Sequence, residues 1–288
     1  MITLENDYIK VSLAAKGAEL QGLFSKETKL EYLWNANPKY WAKHSPVLFP
    51  IVGSLKNNSF TYQGKSYELP RHGFARDHVF NLEKISETEA VFTLTQNEHT
   101  LKVYPFYFEL KLRYQLIDRK LNLTYEVKNT GTAELLFSIG AHPAFAVPNT
   151  PNTVYEDYYL AFNADEKLTF WKLEDGLVAD DTALIELGGH RLNLKHDLFY
   201  NDALVFKTLQ SNCISLLNNK NDYGLHFHFE DFPFFGIWAA TDAPFICLEP
   251  WCGVADGVNH DQELTRKEGI VKLGVGENWS RFWEVECF

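Results

Sequence analysis

From Phe106 to Leu116 every second side chain is apolar: Phe106, Phe108, Leu110, Leu112, Tyr114 and Leu116 alternate with Tyr107, Glu109, Lys111, Arg113 and Gln115. Period two is the signature of a strand with one dry face, because successive side chains point to opposite sides of a sheet. The pattern breaks at Ile117-Asp118-Arg119-Lys120 and resumes at Leu121, Leu123, Tyr125 and Val127, ending at Asn129-Thr130-Gly131. Two such runs around a polar turn predict a long hairpin, and so an antiparallel sheet. Aromatic residues make up 15% of the chain, with 22 Phe and 14 Tyr against one Met, a composition suited to strands.

Shorter hairpins are expected at Phe60–Tyr62 with Ser66–Leu69, and at Phe80–Ile85 with Ala90–Leu94. Further strands are expected at Tyr8–Leu13, Glu19–Phe24, Leu135–Ile139, Leu204–Leu209, Ile214–Leu217, Leu225–Phe229, Phe235–Ala239, Phe245–Leu248 and Trp279–Val285. Helical periodicity is scarce. With no low-complexity linker and no repeat, residues 1–288 are expected to form a single all-β domain of two stacked antiparallel sheets, whose concave face makes a groove for a polar ligand. Val147–Asn152, with prolines at 148 and 151, is expected to be a loop near that site.

A formal net charge of −11 leaves no basic face for a nucleic-acid backbone, so no nucleic-acid partner is expected. Met1–Asp7 lacks a basic segment followed by an apolar core, and no apolar run reaches membrane-spanning length; a cytoplasmic chain without a membrane partner is expected. The four cysteines include no CxxC pair, which points to reduced, partly buried thiols rather than a disulfide scaffold or a zinc ribbon. His226 and His228 share a strand face but have no third ligand nearby, and Gly274-Val275-Gly276 lacks the rest of a dinucleotide fingerprint.

Four segments can carry chemistry. In Phe245-Ile246-Cys247-Leu248-Glu249-Pro250-Trp251, a carboxylate is expected at the mouth of a buried strand, where partial desolvation would raise its pKa toward that of a general base. Trp251 offers a ring face on which a sugar can stack. In Ile139-Gly140-Ala141-His142-Pro143, the histidine ends an apolar strand and should face a cleft or loop junction; a hydrogen-bonded structural histidine is the competing reading. Arg71-His72-Gly73-Phe74-Ala75-Arg76-Asp77 groups cations and a histidine about a glycine, with a solvated loop as the competing reading, and Lys56-Asn57-Asn58 ends another apolar run with polar donors.

The stretches His44–Gly53, His72–Arg76, Gly140–Phe145 and Gly236–Trp238 leading to Leu248–Trp251, in this order, resemble the aldose 1-epimerase (galactose mutarotase) superfamily and particularly its LacX-like branch. With Lys267-Glu268-Gly269-Ile270 the resemblance spans nearly the whole chain. It implies an antiparallel β-supersandwich and interconversion of the α and β anomers of a free sugar, without cofactor or metal. Glu249 would take the anomeric hydroxyl proton and His142 would protonate the ring oxygen. His72 would sit near that oxygen or a neighbouring hydroxyl, Lys56 and Arg76 would hold hydroxyls or an anionic substituent, and Asp202 would be the sugar-binding acid. Ring opening of a cyclic hemiacetal independently needs one proton acceptor and one donor on two oxygens.

Where close relatives commonly carry Gly-Arg-Leu-Lys, this chain has Gly53-Ser54-Leu55-Lys56. Relatives acting on hexose 6-phosphates use paired arginines for the phosphate, so the missing cation favours a neutral sugar, while Arg71, Arg76 and Lys56 keep the phosphorylated one open. A non-catalytic carbohydrate-binding protein is the other alternative, since the chain has seven tryptophans. A glycoside hydrolase would need a second carboxylate across the bond. The expected partner is a small-molecule sugar, and an unpaired strand edge would permit a homodimer.

Overall fold

The computed structural model describes residues 1–288. The alternating runs form the strands Phe108–Ile117 and Lys120–Asn129, paired with Leu121 opposite Leu116, Leu123 opposite Tyr114 and Tyr125 opposite Leu112. Their dry face is buried, from Phe108 and Leu110 to Tyr125 and Val127. Both strands sit in a nine-stranded antiparallel sheet running from Arg191–Asn193 at one edge to Asn81–Lys84 at the other, next to Glu89–Thr95. The second large sheet has seven strands: Phe245–Cys252 lies between Phe234–Trp238 on one side and Ile139–Gly140 with Ala144–Ala146 on the other. It continues through Leu204–Phe206 to the hairpin Lys167–Glu174 and Leu177–Glu186.

Aromatic contacts across the interface, Phe145 on Phe227 and Phe229 on Phe235, join the two sheets in one core. The architecture is the expected all-β antiparallel sandwich. The only α-helix is Glu98–Val103, opened by a reciprocal Asn97–Thr100 capping box. No helix is long and apolar enough to cross a membrane. All four thiols are free, and three of them are buried.

Phe245–Cys252 departs from its expected bounds. The strand continues past Leu248, and all eight of its residues are buried. One face meets the inter-sheet core and the other a second apolar cluster that includes Val205, Trp251, Val254 and Ala255. Glu249 therefore lies within a strand covered on both faces rather than at its mouth. Pro250 is tolerated because its nitrogen, like its carbonyl, faces the side where the neighbouring strand is interrupted between Gly140 and Ala144; that carbonyl accepts from Ala141 N–H at 3.1 Å. His142 occupies the interruption, which puts it beside Glu249.

Candidate active site

A cavity of about 370 Å³ opens on the outer face of the seven-stranded sheet. Glu249 and Trp251 supply its floor, and His142, His72, Arg71, Arg76 and Asp202 reach it from five loop or strand-end positions. Seven of the eight residues expected to act on or hold a ligand thus line one space. Lys56 does not: it lies in the short turn Lys56–Asn58, and its backbone N–H donates to Asp256 Oδ2 at 2.9 Å. The loop 147–152 is likewise absent from the lining; Asn149 and Thr150 bond the Tyr158 hydroxyl instead. His226 binds Ser215 Oγ at 2.7 Å, away from the cavity.

His142 Nε2 stands 3.4 Å from Glu249 Oε2, with the two side chains 9% and 2% exposed. Burial pushes the Glu249 carboxyl well above the usual carboxylate range, opposed by the charge of Arg71. It pushes His142 down to about 3, and the Arg71 and Arg76 charges act in the same direction. Both shifts favour the form with one proton between the pair, on a neutral carboxyl beside a neutral imidazole. Moving that proton across the gap makes a carboxylate and an imidazolium without exchange with solvent.

Aromatic rings hold the imidazole in place. Trp41 stacks on His142 with centroids 4.8 Å apart, and Trp238 meets it edge-on at 5.6 Å. The Trp251 indole lies down across the sheet, over Gly140 on one neighbouring strand and Gly236 on the other. A Cβ at either glycine would collide with the indole, so Gly236→Ala is expected to destabilise the fold by about 1–3 kcal/mol through overpacking. Urea unfolding would measure this, and the shifted indole would show in the tryptophan emission.

His72 has φ 68°, a left-handed conformation uncommon outside glycine. Its own N–H donates to Gly53 O at 2.9 Å, and Gly53 N–H donates to its Nδ1 at 3.1 Å. Burial, then the neighbouring His142, holds the ring well below its ordinary pKa, so it is neutral. A neutral imidazole has one donor and one acceptor; the fixed backbone amide assigns acceptance to Nδ1 and the proton to Nε2. Arg71 Nε–H is directed at Nε2 from 3.2 Å, so it competes with the Gly53 amide for the one acceptor nitrogen of a neutral ring; with Nδ1 taken by the fixed amide, the guanidinium has to turn to another acceptor. Nε2–H and the guanidinium are then both suited to a ligand oxygen that accepts from the two.

Other polar groups of the lining also lack protein partners. His142 Nδ1 and Arg76 Nε are buried without a hydrogen bond, the latter 3.8 Å from Asp77 Oδ2, a cost that a polyhydroxyl ligand would offset. Arg76 Nη2 is held by Arg71 O at 2.8 Å, and Asp202 Oδ1 accepts from Ala203 N–H at 2.7 Å. Cys247 brings a third ligand atom within 4.8 Å of His142 and Glu249, a donor set that a soft divalent ion would accept. Its thiol is not part of the lining, so the cavity presents an acid–base pair.

Leu173 and Gly176, at the tip of the Lys167–Glu186 hairpin, complete one wall, and Trp41 another. Sequence reasoning had assigned a site role to none of the three. The hairpin was signalled by Asp175-Gly176, both with positive φ as a two-residue turn requires, but the flanking alternation is irregular.

Residues 1–272 match the family model described as aldose 1-epimerase. The plasmid-encoded protein LacX of Lactococcus lactis subsp. lactis is 35% identical over 283 residues, covering 94% of each chain. A galactose mutarotase related enzyme from Lactobacillus acidophilus superposes with a TM-score of 0.95 at 36% identity, covering 100% of this chain and 97% of that one. A galactose mutarotase-like protein from Lactobacillus casei superposes with a TM-score of 0.92 at 32% identity, covering both chains fully. On this agreement of sequence and fold, the chain belongs to the aldose 1-epimerase family.

Proposed function

We propose that the protein interconverts the α and β anomers of a free aldohexose, using Glu249 as base and His142 as acid. The observation that carries this reading is the buried His142–Glu249 pair, 3.4 Å apart on the floor of the cavity. In the competent form the proton sits on His142 Nε2. The Glu249 carboxylate takes the proton of the anomeric hydroxyl as its oxygen becomes a carbonyl, and the bond from the anomeric carbon to the ring oxygen breaks. His142 gives its proton to that ring oxygen. Rotation about the first carbon–carbon bond and the reverse transfers close the other anomer. Each group ends as it began once the ring has closed.

His72 Nε2–H and Arg71 Nε–H are suited to hold an oxygen next to the reacting centre, Asp202 accepts from a hydroxyl, and the Trp251 ring stacks on the sugar. A hexose 6-phosphate is the second reading, favoured by the two guanidinium groups of Arg71 and Arg76 on the lining. Polarimetry of freshly dissolved α-glucose and α-galactose, with glucose 6-phosphate followed by anomer-resolved NMR, decides between them. Acceleration confined to the phosphorylated sugar would overturn the neutral assignment. Sugar binding by calorimetry without any acceleration would leave a carbohydrate-binding protein.

The one-proton pair also sets the pH dependence. The rate is expected to hold across the middle range, to fall on the alkaline side as the proton leaves Glu249, and to fall in acid as His142 gains a second proton near 3. A profile with a single transition near pH 6.5, the ordinary imidazole value, would refute the shared-proton account.

A further inference from the structure

Behind the cavity wall lies an ion pair that no step of the proposed reaction uses. Lys267 Nζ donates to Asp256 Oδ1 at 2.7 Å and to Val254 O at 2.8 Å, and both side chains are 1% exposed. Asp256 also spends its remaining polar groups. Its Oδ2 accepts from Lys56 N–H at 2.9 Å, with His260 Nδ1 3.4 Å away. Its N–H donates to Ser54 O at 2.9 Å, and its carbonyl accepts from Val178 N–H at 2.8 Å.

These bonds lead to three separate walls of the cavity. Ser54 and Lys56 belong to the segment whose Gly53 amide assigns the His72 tautomer. Val254 and Ala255 are wall residues themselves, and Gly53 packs directly on Ala255. Val178 is the second residue of the return strand Leu177–Glu186 of the hairpin that carries Leu173 and Gly176. Nothing else in the hydrogen-bonding pattern draws these three segments to a single residue.

We infer that Asp256 and Lys267 are positioning residues: their buried side chains join Lys56 N–H to the Val254 carbonyl, locking the Gly53–Lys56 segment against the Val254–Ala255 wall and thereby holding the His72 imidazole as the Nε2–H donor facing the ligand. The inference rests on reading the cavity as an acid–base sugar site. A buried ion pair replaced by apolar side chains of similar size often preserves stability, so the pair's effect on the site can be separated from its effect on folding.

The test is the double variant Asp256→Leu/Lys267→Met, with Asp256→Asn as the milder change should the double variant not fold. Imidazole ¹⁵N NMR of the free protein reads the His72 tautomer, and polarimetry reads kcat and KM for glucose and galactose. The expected result is cooperative thermal unfolding at a somewhat lower Tm, since Lys56 N–H and Val254 O lose their partners, a His72 signal averaged between tautomers, and a kcat lowered by about 10- to 100-fold with a smaller change in KM. A single native Nε2–H tautomer with native kcat in the folded variant would overturn the inference. Absence of turnover in the wild type would refute the epimerase reading instead, and the NMR result would still decide the positioning role.

Discussion

Glu249→Gln is expected to lower turnover by about 10²- to 10⁴-fold, the contribution of a positioned general base, while calorimetry still detects sugar binding. The amide is nearly isosteric and cannot accept the anomeric proton. The variant also has a stability signature that an ordinary surface glutamate would not show. The folded-state pKa of Glu249 is raised, so its neutral form is favoured in the native protein. At a pH below the unfolded value the group is neutral in both states. As the pH rises beyond it the unfolded chain ionises freely, and the native state loses stability until its own pKa is passed. Glutamine escapes this loss, so its Tm relative to wild type should climb as the pH moves from about 4.5 upward. A Tm difference independent of pH, or turnover within a few-fold of wild type, would remove Glu249 from the mechanism.

Lys267→Met is expected to cost about 3–5 kcal/mol, measured by urea unfolding, because it leaves the Asp256 carboxylate buried and unpaired. Burial already presses the Lys267 pKa down against the attraction of Asp256, so the ammonium is tolerated there through its partner. Adding Asp256→Leu should recover part of the loss, since it removes the buried charge but leaves Lys56 N–H without its acceptor. A single variant as stable as the wild type would show that the carboxylate finds water or takes up a proton at little cost, and the pair would then hold nothing together.

How far the site could be foreseen differs from residue to residue. His72, Arg76 and Asp202 sit beside breaks in apolar patterning, and such breaks become pocket edges. Trp41 could not be singled out, since its role exists only through stacking on His142, a residue remote in sequence. Lys56 differs for the opposite reason: a cation after an apolar run looks like a ligand donor, yet Lys56 is not among the lining residues, and Asp256, 200 positions away, engages its backbone N–H.

Alternation alone determined that this chain makes antiparallel strands, because period two admits only one dry face and a helix would scatter the same apolar residues around its circumference. The order of short motifs determined the family. The tertiary structure alone decided that Glu249 lies inside a doubly covered strand and that His142 fills the gap in its neighbour. It also decided that Asp256 and Lys267 meet as a buried ion pair behind the cavity wall. Each of these depends on contacts between segments far apart in sequence, and on removal from water of groups whose charge the sequence leaves unspecified until their neighbours are in place.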